Sequence, residues 1–140
     1  MRTHIGLFAF AMLIAATIPV AVAQQQQQPP DWATREYAAP ADKVFAAGLR
    51  SIQQQKHEMK NVDHERRQAT FHVGTTAWSW GYNMMLTVDP IDATHARATV
   101  AVVSKSGGDA FSWGSGKKEV RKILGGIDAE LAASKASLKD

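Results

Sequence analysis

Even positions from residue 78 read Trp78, Trp80, Tyr82, Met84, Leu86, Val88, while the odd positions between them read Ser79, Gly81, Asn83, Met85, Thr87. Side chains of an extended strand alternate between its two faces, so this spacing predicts a strand with one almost wholly apolar face. Pro90-Ile91-Asp92-Ala93-Thr94 breaks the rhythm, which resumes at Ala96, Ala98, Val100 and Val102. The segment from Trp78 to Ser104 therefore reads as two long strands joined by a turn. A sheet with one apolar face has to be covered, and the helical stretches on either side are the available covers.

Trp32 to Tyr37 reads as a short edge strand ahead of Pro40. Pro40 suits the first position of a helix, and Asp42 falls in the first turn, where the helix dipole favours an anion. Val44, Phe45, Gly48, Leu49 and Ile52 then form one helical stripe, which is lost at Gln53-Gln54-Gln55-Lys56. From His57 the chain turns extended, with Met59 and Val62 its strong apolar residues before a charged turn at Asp63 to Arg67. Its charges suit an exposed edge strand, since they discourage pairing with another chain. Ala69, Phe71 and Val73 alternate with Thr70, His72 and Gly74 as a half-buried strand. Val100-Ala101-Val102-Val103 is apolar on both faces, as a central strand would be, and a strand at 33–37 pairing beside it would make it central.

Ser104 to Gly114 reads as a loop ending in Phe111-Ser112-Trp113, with Ser115 the expected N-cap of a final helix. Val120, Ile123, Leu124, Ile127 and Leu131 give that helix its apolar face, and Ala132 to Asp140 is expected to fray. The fold class is α+β: an antiparallel sheet of four to five strands packed against an N-terminal and a longer C-terminal helix. The Ala39-Pro40-Ala41-Asp42-Lys43-Val44-Phe45 helix start, the four strands and the Trp113-Gly114 turn resemble the helix-grip and TATA-binding-protein-like β-α-β4-α layouts of small bacterial envelope proteins. The resemblance covers roughly residues 33 to 133 and implies a fold; it carries no catalytic motif and implies no activity.

Residues 1 to 23 read as a secretory signal peptide: Arg2, an apolar run from Ile5 to Ile18, then Ala21-Val22-Ala23 before the cut. The run is short of the roughly 20 residues a bilayer span needs, so no integral span is expected after cleavage. The rival is an uncleaved N-terminal anchor. There is no cysteine, which excludes a lipid-anchored lipoprotein and fits an oxidising compartment in which the fold does without disulfides. The expected location is periplasmic or extracellular. Residues 24–31, rich in Gln and Pro, have nothing to bury and read as a disordered spacer, leaving 32–140 as one domain. The formal net charge is only +3, too sparse for the positive footprint of bulk nucleic-acid binding.

Ser-Trp-Gly occurs twice, at Ser79-Trp80-Gly81 and Ser112-Trp113-Gly114. Flat aromatic faces bind sugar rings, apolar ligands or a partner's surface, so Trp78, Trp80, Trp113 and Phe111 are the candidate ligand or partner surface; packing between sheet and helix is the plainer alternative. Lys117, Lys118, Arg121 and Lys122 oppose the dipole at a helix start and are candidates for facing an anion, such as phospholipid head groups in a weak membrane contact. A solvated helix face is the simpler explanation. His57, His64, His72 and His95, with Asp63 or Glu65 nearby, show no metal-ligand spacing, so no metal is expected. Gly114-Ser115-Gly116-Lys117-Lys118 fails as a phosphate loop: Phe111 stands where glycine is needed and Lys118 where Ser or Thr is needed. Neither G-x-S-x-G nor H-E-x-x-H is present.

These features point to a small exported binding or adaptor protein without catalysis or cofactor, its partner an unidentified envelope component or protein. One alternative is a carrier holding a small apolar ligand between sheet and last helix, in a cleft lined by Phe71, Trp80, Met84, Leu86, Val100 and Ile123. A small hydrolase without a sequence signature is another.

Overall fold

The computed structural model describes residues 29–74, 81–103, 116–139 and the backbone of 111–112. A 3-10 turn at Asp31–Ala33 leads into β1 (Thr34–Tyr37), α1 (Ala41–Gln54), β2 (Glu58–Asp63), β3 (Gln68–Val73), β4 (Tyr82–Pro90), β5 (Ala96–Val103), β6 (Phe111–Ser112) and α2 (Lys117–Ser137). The sheet is antiparallel throughout, in the order β1-β5-β4-β3-β2, with the two-residue β6 also on β5. This is the α+β layout expected, with β5 central because β1 pairs beside it.

The period-two rhythm decides which side of the sheet is buried. Ala69, Phe71 and Val73 on β3, Met84, Leu86 and Val88 on β4, and Ala96, Ala98, Val100 and Val102 on β5 all enter one core. The helices supply the roof: Val44, Phe45, Ala47 and Ile52 from α1, and Val120, Ile123, Leu124 and Ile127 from α2. Burying each large aliphatic side chain contributes about 1.5–3 kcal/mol, so this single apolar layer is the main stabilising term. The close approach of α1 to β4 needs a residue without a side chain at position 48, where a Cβ would lie 2.5 Å from Leu86 Cδ2. Tyr37 ties β1 to the roof by donating its hydroxyl proton to the Leu124 carbonyl at 2.8 Å.

Local departures from expectation have local causes. Trp32 lies in the 3-10 turn, not in a strand, because the Ala33 N–H bonds back to the Pro30 carbonyl at 2.8 Å. Pro40 occupies the capping position and the helix proper begins at Ala41, with the Val44 N–H bonded to the Pro40 carbonyl. The N-cap of α2 is Gly116, not Ser115: its φ of 78° is left-handed, a conformation glycine adopts without steric cost. Phe111 and Ser112, expected in a loop, form β6 against Val103 and Val102. The C-terminal segment stays helical through Ser137.

Candidate functional site

Two regions of the described surface could do more than hold the fold together. The first is the face of the sheet turned away from the helices. Register places three uncharged rows across it: Thr34, Thr99, Thr87 and Gln68; then Ala101, Met85 and Thr70; then Val103, Asn83 and His72. The Thr34 and Thr99 hydroxyls sit 3.3 Å apart. His72 Nδ1–H donates to Asn83 Oδ1 at 2.9 Å, since an amide oxygen can only accept, and this fixes the ring's orientation. Ala101 is only 4 % exposed although it is not part of the core cluster, and the other residues of these rows are half-buried.

Charge is confined to the margin of this face. At one end Glu36 pairs with Arg97 at 2.6 Å beside Asp89, and the edge strand β2 carries Glu58, Lys60 and Asp63. A groove at the β1 corner, lined by Pro29, Asp31, Thr34, Arg35, Glu36 and Arg97, is polar and internally neutralised. Its Arg97 is bound by Glu36, and Arg35 by Asp128 of α2.

The second region lies where β2 begins and α2 begins. The His57 ring stacks on Phe71, with centroids 5.7 Å apart and planes at 24°. Its Nε2 stands 3.6 Å from Glu119 Oε2, outside hydrogen-bonding distance, and its side chain is only 10 % exposed. Among the described residues Nε2 has no hydrogen-bond partner. Burial holds this imidazole below the usual histidine range; Glu119 pulls it upward, and Lys122 adds to the lowering. Lys122 in turn holds Glu119 at 3.0 Å. Burial also raises the Tyr82 phenol, with Glu119 adding to the effect.

From the sequence, His57 reads as a metal ligand or a surface-strand histidine, and Glu119 only as tempering the basic run at the start of α2. A signal was available: Glu119 stands four and eight residues before Ile123 and Ile127 on the buried stripe, and His57 shares its strand parity with Met59. Among the described residues no group of three or more His, Cys, Asp or Glu could hold a metal ion.

The other candidates are dispersed. Trp78, Trp80 and Trp113 lie outside the described residues, and of Phe111 only the backbone in β6 is described. The basic residues at the start of α2 split into separate environments. Lys117 sits over the Trp32 ring, 5.5 Å from its centroid, and Lys122 is bound to Glu119, while Lys118 and Arg121 point to solvent. The five described residues of the carrier cleft, Phe71, Met84, Leu86, Val100 and Ile123, are all completely buried in the core cluster.

No protein-family model matches the chain, and no curated protein matches it. Among solved structures it is similar to TTHA0849 from Thermus thermophilus, at 13 % identity and a TM-score of 0.46, over 73 % of this chain and 96 % of that one. It is also similar to the Zhui aromatase/cyclase from a Streptomyces species, at 16 % identity and a TM-score of 0.38, over 72 % and 85 % of the two chains. At these values neither similarity assigns a family or an activity. Among the described residues no helix is long and apolar enough to cross a membrane.

Proposed function

We propose that this chain is a non-catalytic binding module, exported by way of residues 1–23, which holds a protein partner against the open face of its sheet. The observation that carries this reading is the uncharged centre of that face, where Thr70, Met85, Thr87 and Thr99 are partly exposed and the charged side chains stand at the margin. A core depleted of charge inside a polar rim is the usual anatomy of a protein–protein contact. A merely solvated face of an antiparallel sheet has no need to exclude Lys, Arg, Asp and Glu from its middle rows.

The carrier alternative has less support, because the side chains assigned to its cleft fill the interior against one another. The hydrolase alternative draws on the His57–Glu119 contact, the kind of pair by which a carboxylate orients a general base. It would need a substrate to reach an imidazole nitrogen that is buried.

Photo-crosslinking in the native host tests the proposal. A crosslinking residue at Met85 or Thr70 is expected to give a discrete adduct, one at Lys135 on the far side of α2 none, and Thr87→Arg is expected to remove the adduct. Equal labelling from all three positions, or none from Met85 and Thr70, would overturn it.

A further inference from the structure

The first turn of α2 is held down in an unusual way. Gly116 offers no side-chain cap, and it is seated tightly on the sheet: a Cβ there would lie 2.9 Å from Val102 Cγ2, 3.3 Å from Tyr82 Cε2 and 3.4 Å from Met84 Cε. The turn is also held by Val120, buried in the core, by Lys117 over the Trp32 ring, and by Glu119, whose carboxylate lies against the ring that stacks on Phe71. We propose that His57 is an acid-sensitive latch on this turn: while the imidazole is neutral the turn stays seated on the sheet, and protonation of the buried ring releases it.

The groups facing the ring decide the direction. From α2, Glu119 favours a cation at His57, whereas Lys122 opposes one and, at 3.0 Å, already neutralises the carboxylate. From β3 comes the apolar ring of Phe71, and from β4 the uncharged phenol of Tyr82 faces Glu119. On the ring's own strand Glu58 is engaged by Lys60 at 2.6 Å. A charge at Nε2 would thus lose water and gain only a long ion pair, since Glu119 stands at 3.6 Å and is shared with Lys122. Burial therefore dominates, and the folded state binds the proton less readily than an opened one does.

The sign follows from linkage. With the imidazole held below its ordinary value of 6.5, the seated turn is fully stable above that value and loses stability as the pH falls towards the folded-state value. Release would uncover the edges of Val102, Tyr82 and Met84, giving an apolar surface that appears only on acidification. This latch is independent of what binds the open sheet face.

Hydrogen exchange on the full chain between pH 7.5 and 5.0, corrected for intrinsic rates, tests it. Protection of Val120 to Lys122, whose amides bond back into the first turn, is expected to fall by up to about tenfold per pH unit below roughly 6.5, while that of Leu124 to Ile127 holds. His57→Phe, which keeps a ring against Phe71, is expected to abolish the fall. Two further variants act in opposite directions if His57→Phe does not fold: Glu119→Gln deepens the loss and Lys122→Met makes it shallower. Protection that rises or stays constant on acidification, a loss that survives in His57→Phe, or equal effects of the two α2 variants would overturn the latch.

Discussion

Ser51 on α1 and Gly126 on α2 meet so closely that a Cβ at position 126 would overlap the serine Oγ and lie 2.8 Å from its Cβ. The same hydroxyl donates to the Ile123 carbonyl at 3.0 Å, so the contact also satisfies a buried polar group. Neighbouring Gly125 is exposed, with nothing within 4 Å of where its Cβ would be. Gly126→Ala is expected to destabilise by about 1–3 kcal/mol through overpacking. Gly125→Ala is expected to stabilise by about 0.5–1 kcal/mol, since alanine loses less backbone entropy in a helix. Urea melts with unchanged m-values should show the two signs; equal effects would contradict this helix crossing.

Leu86 is completely buried, whereas Thr87 lies on the open face. Leu86→Ala should cost on the order of 2–5 kcal/mol and Thr87→Ala within about 0.5 kcal/mol. A reversal of that order in a denaturant melt would mean that the faces of β4 are exchanged.

The Tyr37 hydroxyl reaches the Leu124 carbonyl from inside the core, and Tyr37→Phe would leave that acceptor unmet, a loss of about 1 kcal/mol. Burial, helped by Asp128, raises this phenol well above the ordinary tyrosine range. A raised value means that stability is intact below pH 10 and declines as the pH rises towards the folded-state value. Absorbance titration of the native protein should show delayed phenolate formation, and unfolding in denaturant should remove the delay.

In the β4–β5 turn, Asp92 Oδ1 accepts from the Thr94 N–H at 2.7 Å, the Thr94 hydroxyl at 3.0 Å and His95 Nδ1–H at 3.1 Å. The Thr94 backbone bond, with help from the His95 and Thr94 side chains, holds its pKa down to about 2. That contribution is present above the ordinary value of 3.8 and lost as the pH falls through about 2. Asp92→Asn should therefore be less stable than the parent at pH 7, and the difference should close below about pH 2 in thermal melts.

Much of this architecture could be read from periodicity alone. The parity of Met84, Leu86 and Val88 identifies the buried side of β4, and the double-sided apolar run at Val100 to Val103 gives β5 its central place. Periodicity needs length, so β6, only two residues long, leaves no trace in the pattern. Capping chemistry alone puts the start of α2 one residue early, because Ser115 has the better capping side chain. The tight seat on Val102, Tyr82 and Met84 instead favours a residue with no Cβ, a tertiary constraint invisible locally. The open face is legible only as the polar half of each strand; its neutrality across rows depends on register between strands. His57 and Glu119 meet from separate elements, and no spacing rule links them.

The two short strands that share one side of β5 come from opposite ends of the domain. β1 takes Ala96 to Thr99 and β6 takes Val102 and Val103, so this border is stitched from sequence 34–37 and 111–112. Pairing Thr34 with Thr99 closes a loop of 65 residues, while β3 and β4 meet across a far shorter one. Loop-closure entropy then ranks the assembly: the local β2–β3, β4–β5 and β5–β6 ladders can zip first, and the β1 half of the border waits for a compact nucleus to arrive. In pulse-labelled refolding the amides of Arg35 to Tyr37 should be the last strand amides to become protected, making the β1 half of the seam the slowest part of the sheet to mature.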